Sequence, residues 1–223
     1  MSMNNQKFSP KLFTSTTATP NLNPPISLIP SGSRNLLNAT RLDADVVYEK
    51  DFLHSIIDSE LHFTNYISKI KDSKIDDNIK RFADNPNIIS NKVKHIDLDM
   101  NNGERIRKII SRATDERIIN KYSDYIYESD LTLTRYILSE RGTFRVFSIY
   151  AIFNIASDAE RHVLIVCLLD PYHLVCPVKR GTISKQENMI KTFEQYRHYD
   201  SSFDKKYNEY FSTKTMIGPD EML

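Results

Sequence analysis

A chain of 223 residues is long enough for one sizeable domain, or for one domain with a tail. Lys and Arg number 30 against 29 Asp and Glu, so net charge exerts no global pull toward nucleic acid or membrane and leaves that work to local patches. The two cysteines, Cys167 and Cys176, make no Cys-x-x-Cys pair, which excludes a disulfide scaffold. The longest unbroken apolar run, Val163 to Leu169, falls far below the roughly 20 residues needed to cross a bilayer. The N-terminal stretch MSMNNQKFSPKLF lacks the apolar core of a signal peptide. A cytoplasmic protein with no membrane association is expected.

Residues 1–42 carry Pro10, Pro20, Pro24, Pro25 and Pro30 among Ser, Thr and Asn, with no acid before Asp43. Such a stretch buries too little apolar surface to offset its ordering entropy, so a disordered or extended tail is expected. Residues 43–223 are expected to form a single α+β domain: a helical part over 43–90, helix plus sheet over 91–180, and C-terminal helices over 181–223. From Asp45 to Lys71, Phe52, Leu53, Ile56, Ile57, Phe63, Ile67 and Ile70 recur at helical spacing and predict a long amphipathic helix. A short helix over 76–84 ends before Asn85-Pro86.

KVKHIDLDM (92–100) alternates as a strand does, and NNG (101–103) signals a turn. Glu104 to Tyr127 reads as helix with a break near Thr114-Asp115, turning Ile106, Ile109, Ile110, Ile118, Ile119 and Tyr122 inward. LTLTRYIL (131–138) fits a strand by alternation and a helix by a Ser129-Asp130 cap. Arg141-Gly142 turns into 144–153, apolar on both faces as a central strand is. A polar connector over 154–160 leads to a second strand over 161–169, and Asp170-Pro171 turns the chain into a short third strand over 173–178. Ser184 to Tyr199 is a helix with Met189, Ile190, Phe193 and Tyr196 on one face, and 203–211 is a last short helix. The expected architecture is N-terminal helices packed on a small antiparallel sheet of three to four strands, closed by a C-terminal helix.

Three constellations carry chemistry. His54, Asp58 and His62 are spaced for one helix face, but the first and last would stand about 12 Å apart along the axis, too far to share an ion. No metal is expected. Arg105, Lys108 and Arg112, at i, i+3 and i+7, form a basic face able to neutralise phosphates, or simply a solvated helix surface. The third group lies in the sheet region: Arg145, Tyr172, His173, Lys179 and Arg180. Cleaving RNA takes a base for the 2′-hydroxyl proton, a cation beside the phosphorane and an acid for the leaving oxygen, and these side chains supply such roles without a metal. The expected catalytic set is Arg145, Tyr172 and His173, with Arg105, Lys108, Arg112, Lys179 and Arg180 binding RNA. The plainer alternatives are a hydrogen-bonded turn histidine at 173 and, for Arg145, pairing with a buried acid such as Asp170. No Gly-rich phosphate loop, nucleophile elbow or zinc signature is present, so no cofactor is expected.

The order of two helical segments, GTFRVFSIY (142–150), VLIVCLL (163–169) and a turn histidine resembles the RelE/ParE toxin superfamily over about residues 104–180. The resemblance implies a helical hairpin packed on a small antiparallel sheet, with Gly142, Arg145 and His173 at the matching positions. For the RelE-type branch it implies ribosome-associated mRNA cleavage by basic and aromatic residues, held off by an antitoxin. For the ParE-type branch it implies DNA-gyrase poisoning on the same fold. Family members are shorter than this chain, and here about 100 residues precede the match. Two functional expectations stand: a RelE-like, metal-independent endoribonuclease or toxin of a mobile element, and a non-catalytic interaction or regulatory protein of phage or mobile-element type that docks on a protein partner.

Overall fold

The computed structural model describes residues 41–68, 73–100, 102–131, 143–154 and 160–222. Its two longest strands pair antiparallel, with Arg145 opposite Asp170 at one end and Asn154 opposite Glu160 at the other: β6 (Arg145–Asn154) and β7 (Glu160–Asp170). Every residue from Val163 to Leu169 is buried, so both faces of β7 are covered, as its unbroken apolar run requires. Each fully buried Val, Leu or Ile there contributes about 1.5–3 kcal/mol.

β5 (Ile126–Asp130) and then β4 (Val93–His95) extend the sheet antiparallel on one side. On the other side β1 (Asp45–Glu49) runs parallel to β7 and to the edge strand β8 (Met216–Ile217). The six-stranded order is β4-β5-β6-β7-β1-β8, and β2 (Ile57–Asp58) with β3 (Phe63–Thr64) forms a separate two-stranded piece.

The helices are α1 (Ser73–Asp84), α2 (Gly103–Ile110), α3 (Glu116–Lys121), α4 (Lys185–Tyr196), α5 (Phe203–Phe211) and α6 (Pro219–Met222). α1 buries Ile75, Ile79, Phe82 and Ala83, and Phe82 meets Tyr48 of β1 at 5.6 Å and Phe211 of α5 at 5.8 Å between ring centres. α4 starts at a capping box in which Ser184 Oγ accepts from the Glu187 amide while the Glu187 carboxylate accepts from the Ser184 amide. Met189 and Phe193 of α4 are buried, whereas Ile190, expected on the same face, is exposed. One cluster of buried apolar side chains runs from Leu42 to Met222. Among the described residues, no helix is long and apolar enough to cross a membrane.

The expected architecture is therefore corrected. The sheet has six strands and is mixed, where three to four antiparallel strands were expected, and among the described residues no helix precedes β1, β2 and β3. The apolar spacing after Asp45 does fit a helix, but Val46, Val47 and Tyr48 hydrogen-bond instead to a β7 edge that would otherwise lie open. Further along, Asp58 Oδ1 accepts from the amides of Glu60 and Leu61, and His62 takes a left-handed φ of 46°, which no right-handed helix continues through. The break expected near Thr114-Asp115 separates α2 from α3, with Asp115 capping α3 by accepting from the Arg117 amide. Residues 173–178 are irregular, because loop amides that a strand would use are bonded to Asp170. The expectations for residues 1–40, 132–142 and 155–159 lie outside the described residues.

Two predictions follow from backbone and burial. A Cβ on Gly103 would stand 1.7 Å from the Leu98 carbonyl oxygen, where the chain turns into α2. Gly103→Ala is expected to cost about 3 kcal/mol or more, read as a lowered urea midpoint. Glu49, at the end of β1, is 1% exposed, and burial, with Asp51 alongside, raises its carboxyl from 4.5 to about 7 despite the amide bond from Asp51. An acid raised in the folded state contributes stability present below its unfolded value and lost as pH rises through the folded one. Stability should thus fall between pH 4.5 and about 7, by roughly 1.4 kcal/mol per pH unit at most. Glu49→Gln should remove that slope and be more stable than the parent at pH 8, which chemical denaturation across the pH range checks.

Candidate functional site

The site begins where β7 ends. Asp170 is wholly buried, and its carboxylate accepts from the amides of Tyr172 at 3.2 Å, Leu174 at 3.0 Å and Val175 at 2.8 Å. Burial raises the Asp170 carboxyl, while His173 and the three amides oppose that shift. Wrapping the loop around one carboxylate forces His173 to a left-handed φ of 58°, a conformation that costs a non-glycine residue on the order of 1 kcal/mol. Thr143 Oγ1 donates to the Pro171 carbonyl at 3.0 Å and ties the start of β6 to the same loop.

Arg145, the first residue of β6, lies in register with Asp130 of β5. Its Nη1 reaches Asp130 Oδ1 at 2.9 Å, and its Nε lies 3.1 Å from Glu128 Oε1. His173 Nε2 lies 3.1 Å from the same Glu128 oxygen. Both approaches are ion-pair distances, and neither is aligned as a hydrogen bond. The Arg145 and His173 side chains are each 13% exposed and that of Glu128 6%. Guanidinium and imidazole therefore converge on one buried carboxylate, which is neither Asp170 nor a residue singled out in the sequence. Glu128 and Asp130 are two apart on a short strand and so share a face; that acid pair with period two, just past the segment read as helix, was the signal available.

A cavity of about 280 Å³ opens beside this group. Arg145, Tyr172, His173, Lys179 and Arg180 all line it, and α4 adds Asn188, Thr192, Gln195 and Tyr196. Lys179 and Arg180 are exposed and make no ion pair among the described residues; they project from a tight turn in which Arg180 and Ile183 exchange backbone bonds and Gly181 takes φ 62°. Tyr172 stacks on Tyr196 at 3.8 Å with 7° between planes, and its hydroxyl donates to the Tyr66 carbonyl at 2.7 Å. The hydroxyl is thus held by backbone, and the ring forms a wall with Tyr196. Asn188 Nδ2 donates to the Val178 carbonyl, which places its amide oxygen as the free acceptor.

The basic segment is not brought to this cavity. Arg105 is folded inward: Nε and Nη2 donate to the Leu61 carbonyl at 2.9 and 2.6 Å, Nη1 to Val175 at 2.9 Å, and Nη2 to Leu174 at 3.0 Å. Burial lowers its pKa, while Asp170, Cys176 and Asp58 support its charge. Lys108 pairs with Glu104 at 2.7 Å, and Arg112, beyond the end of α2, pairs with Asp58 at 2.9 Å. His54, Asp58 and His62 share no helix, and among the described residues no group of three or more His, Cys, Asp or Glu is arranged to hold a metal ion. Burial raises both thiols, Cys176 to about 12, so neither is a nucleophile at neutral pH.

Comparison with protein-family models finds no match, and comparisons with curated proteins and with solved structures find none either. Function must be argued from the geometry. One consequence concerns Arg105, whose planar fork satisfies three backbone carbonyls that an ammonium group cannot reach together. Arg105→Lys is expected to destabilise the fold by about 2 kcal/mol, measured as a lowered thermal midpoint.

Proposed function

We propose that this protein is a RelE-like, metal-independent endoribonuclease whose cavity receives a phosphodiester of RNA. One observation carries the reading: Arg145 and His173 meet at Glu128 on the wall of the cavity that Lys179 and Arg180 also line. A proton on His173 Nε2 faces Glu128 and leaves Nδ1 with the lone pair that a general base uses. The imidazole takes the proton of the 2′-hydroxyl, whose oxygen then attacks the adjacent phosphorus. The bond to the 5′ oxygen breaks, that oxygen leaves with a proton from solvent, and a 2′,3′-cyclic phosphate remains. Lys179 and Arg180 neutralise the phosphate, since the charge of Arg145 is already matched by Glu128 and Asp130. Arg145 acts by fixing Glu128, and Tyr172 with Tyr196 offers an aromatic wall beside the bound base. Two short helices followed by antiparallel β5, β6 and β7 are the part of the architecture this reading rests on, while β1, β4 and β8 widen the sheet beyond what the RelE/ParE resemblance over about 104–180 implies.

A second reading is favoured by a specific observation: the guanidinium and imidazole are mostly covered and paired with carboxylates. In that reading the cavity holds an anionic group of a partner without cleaving it, and the protein is a regulatory docking protein.

Incubation with single-stranded RNA in EDTA separates the two. Cleavage is expected for the parent and should fall by about 100-fold or more in His173→Ala with the fold retained by circular dichroism. Lys179→Ala with Arg180→Ala should weaken RNA binding and flatten its salt dependence by about two charges. RNA binding without cleavage would select the docking reading, and undiminished cleavage by His173→Ala would sink the nuclease one.

A further inference from the structure

A second groove, of about 480 Å³, opens beside the end of β1 and shares no lining residue with the cavity around His173. Glu49, Asp51, Ser111 and Thr114 line it. Glu49 is 1% exposed; its Oε2 accepts from the Asp51 amide at 2.6 Å, and its Oε1 has no hydrogen-bond partner among the described residues. The buried hydroxyls of Ser111 and Thr114 have none either. A buried polar atom left without a partner costs about 1–3 kcal/mol, so three around one groove call for something that supplies hydrogen-bond donors.

Charge sets the class of that ligand. Asp51 is exposed, adjoins Glu49 and makes no ion pair among the described residues. Arg112 also lines the groove, but it is engaged by Asp58 at 2.9 Å, and Asp115 at the rim is engaged by Arg117 at 2.7 Å. Lys50 attracts Glu49 through space without forming an ion pair with it. Two neighbouring acids thus stand without a bound cation, Asp51 and, above about pH 7, Glu49, which disfavours an anionic ligand. A bare metal ion fits poorly: the groove is far larger than one ion, and no three-ligand group is arranged there among the described residues. Hydroxyls paired with carboxylates match the several N–H donors of an ammonium group.

We propose that this groove binds a small aliphatic amine, its ammonium group held between Glu49 and Asp51 and donating to the hydroxyls of Ser111 and Thr114. The site is independent of the nuclease reading and stands or falls separately from it.

Titration calorimetry of the whole chain with putrescine, using 1,4-butanediol as the uncharged analogue, tests the proposal. Saturable one-to-one binding of putrescine is expected, with none of the diol. Glu49→Gln should weaken that binding by about tenfold or more while remaining folded by thermal melting. Ser111→Ala with Thr114→Val should weaken it severalfold while leaving both carboxylates in place. No saturable putrescine binding would overturn the site, as would equal affinity in Glu49→Gln. Displacement of putrescine by magnesium chloride at concentrations where sodium chloride has no effect would assign the groove to a metal ion and overturn the amine.

Discussion

The carboxylate of Asp170 lies in full burial at the end of β7, and the loop that follows closes on it through the amides of Tyr172, Leu174 and Val175. Much of the functional end of the molecule depends on that knot. With those amides turned inward, the carbonyls of Leu174 and Val175 are free to accept from Arg105, which anchors α2. The same winding carries His173 into a left-handed conformation and toward Glu128. A buried ionised group is tolerable only when its hydrogen-bonding capacity is met, and here backbone meets most of it. The loop therefore holds its shape both by polar satisfaction of Asp170 and by burial of its own Tyr172, Leu174 and Val175 side chains.

Glu128, Asp130 and Asp170 bring three carboxylates to one end of the sheet, and Arg145, His173 and Arg105 answer them. The two guanidinium groups offset much of that negative charge, so the cluster adds no surplus positive field to the cavity. The surplus positive charge comes from Lys179 and Arg180 on the rim, where solvent screens it. In the proposed reading, ligand capture and proton transfer fall to different side chains: Lys179 and Arg180 on the rim attract, and the imidazole lies against Glu128. Cations of α2, α3 and the turn between them play a further part, since Arg105, Lys108, Arg112 and Arg117 each join neighbouring segments or stiffen their own.

What was legible in the sequence is what local pattern determines. β6 is apolar on both faces from Val146 to Phe153 save for Ser148, and β7 from Val163 to Leu169, a signature few other elements share. Ser184 with Glu187 marks the start of α4, and Asp115 marks the break between α2 and α3, because caps are local interactions. The segment after Asp45 misled for a physical reason. Phe52, Leu53, Ile56, Phe63 and Ile67 are all buried, as an inward stripe would be, but they reach the core from turns and short strands. What decides that segment is the exposed edge of β7, which no local window contains. The site was half legible: Arg145, Tyr172, His173, Lys179 and Arg180 share one cavity, whereas Glu128, the residue that joins two of them, sat between two expected elements and was assigned to neither. Arg105 carried the composition of a phosphate binder and the geometry of an internal brace, a distinction set by carbonyls from distant parts of the chain.

The parallel placement of β1 between β7 and β8 has a bearing on how the chain is made. Residues 45–49 leave the ribosome well before both of their neighbours in the sheet, and β8 follows almost everything else described. Until then the Val46, Val47 and Tyr48 segment is an apolar strand with two unpaired edges, the kind of surface that chaperones and sister chains capture. Its maturation is governed by long-range loop closure, so slow folding and sensitivity to crowded, rapid translation are built into the topology.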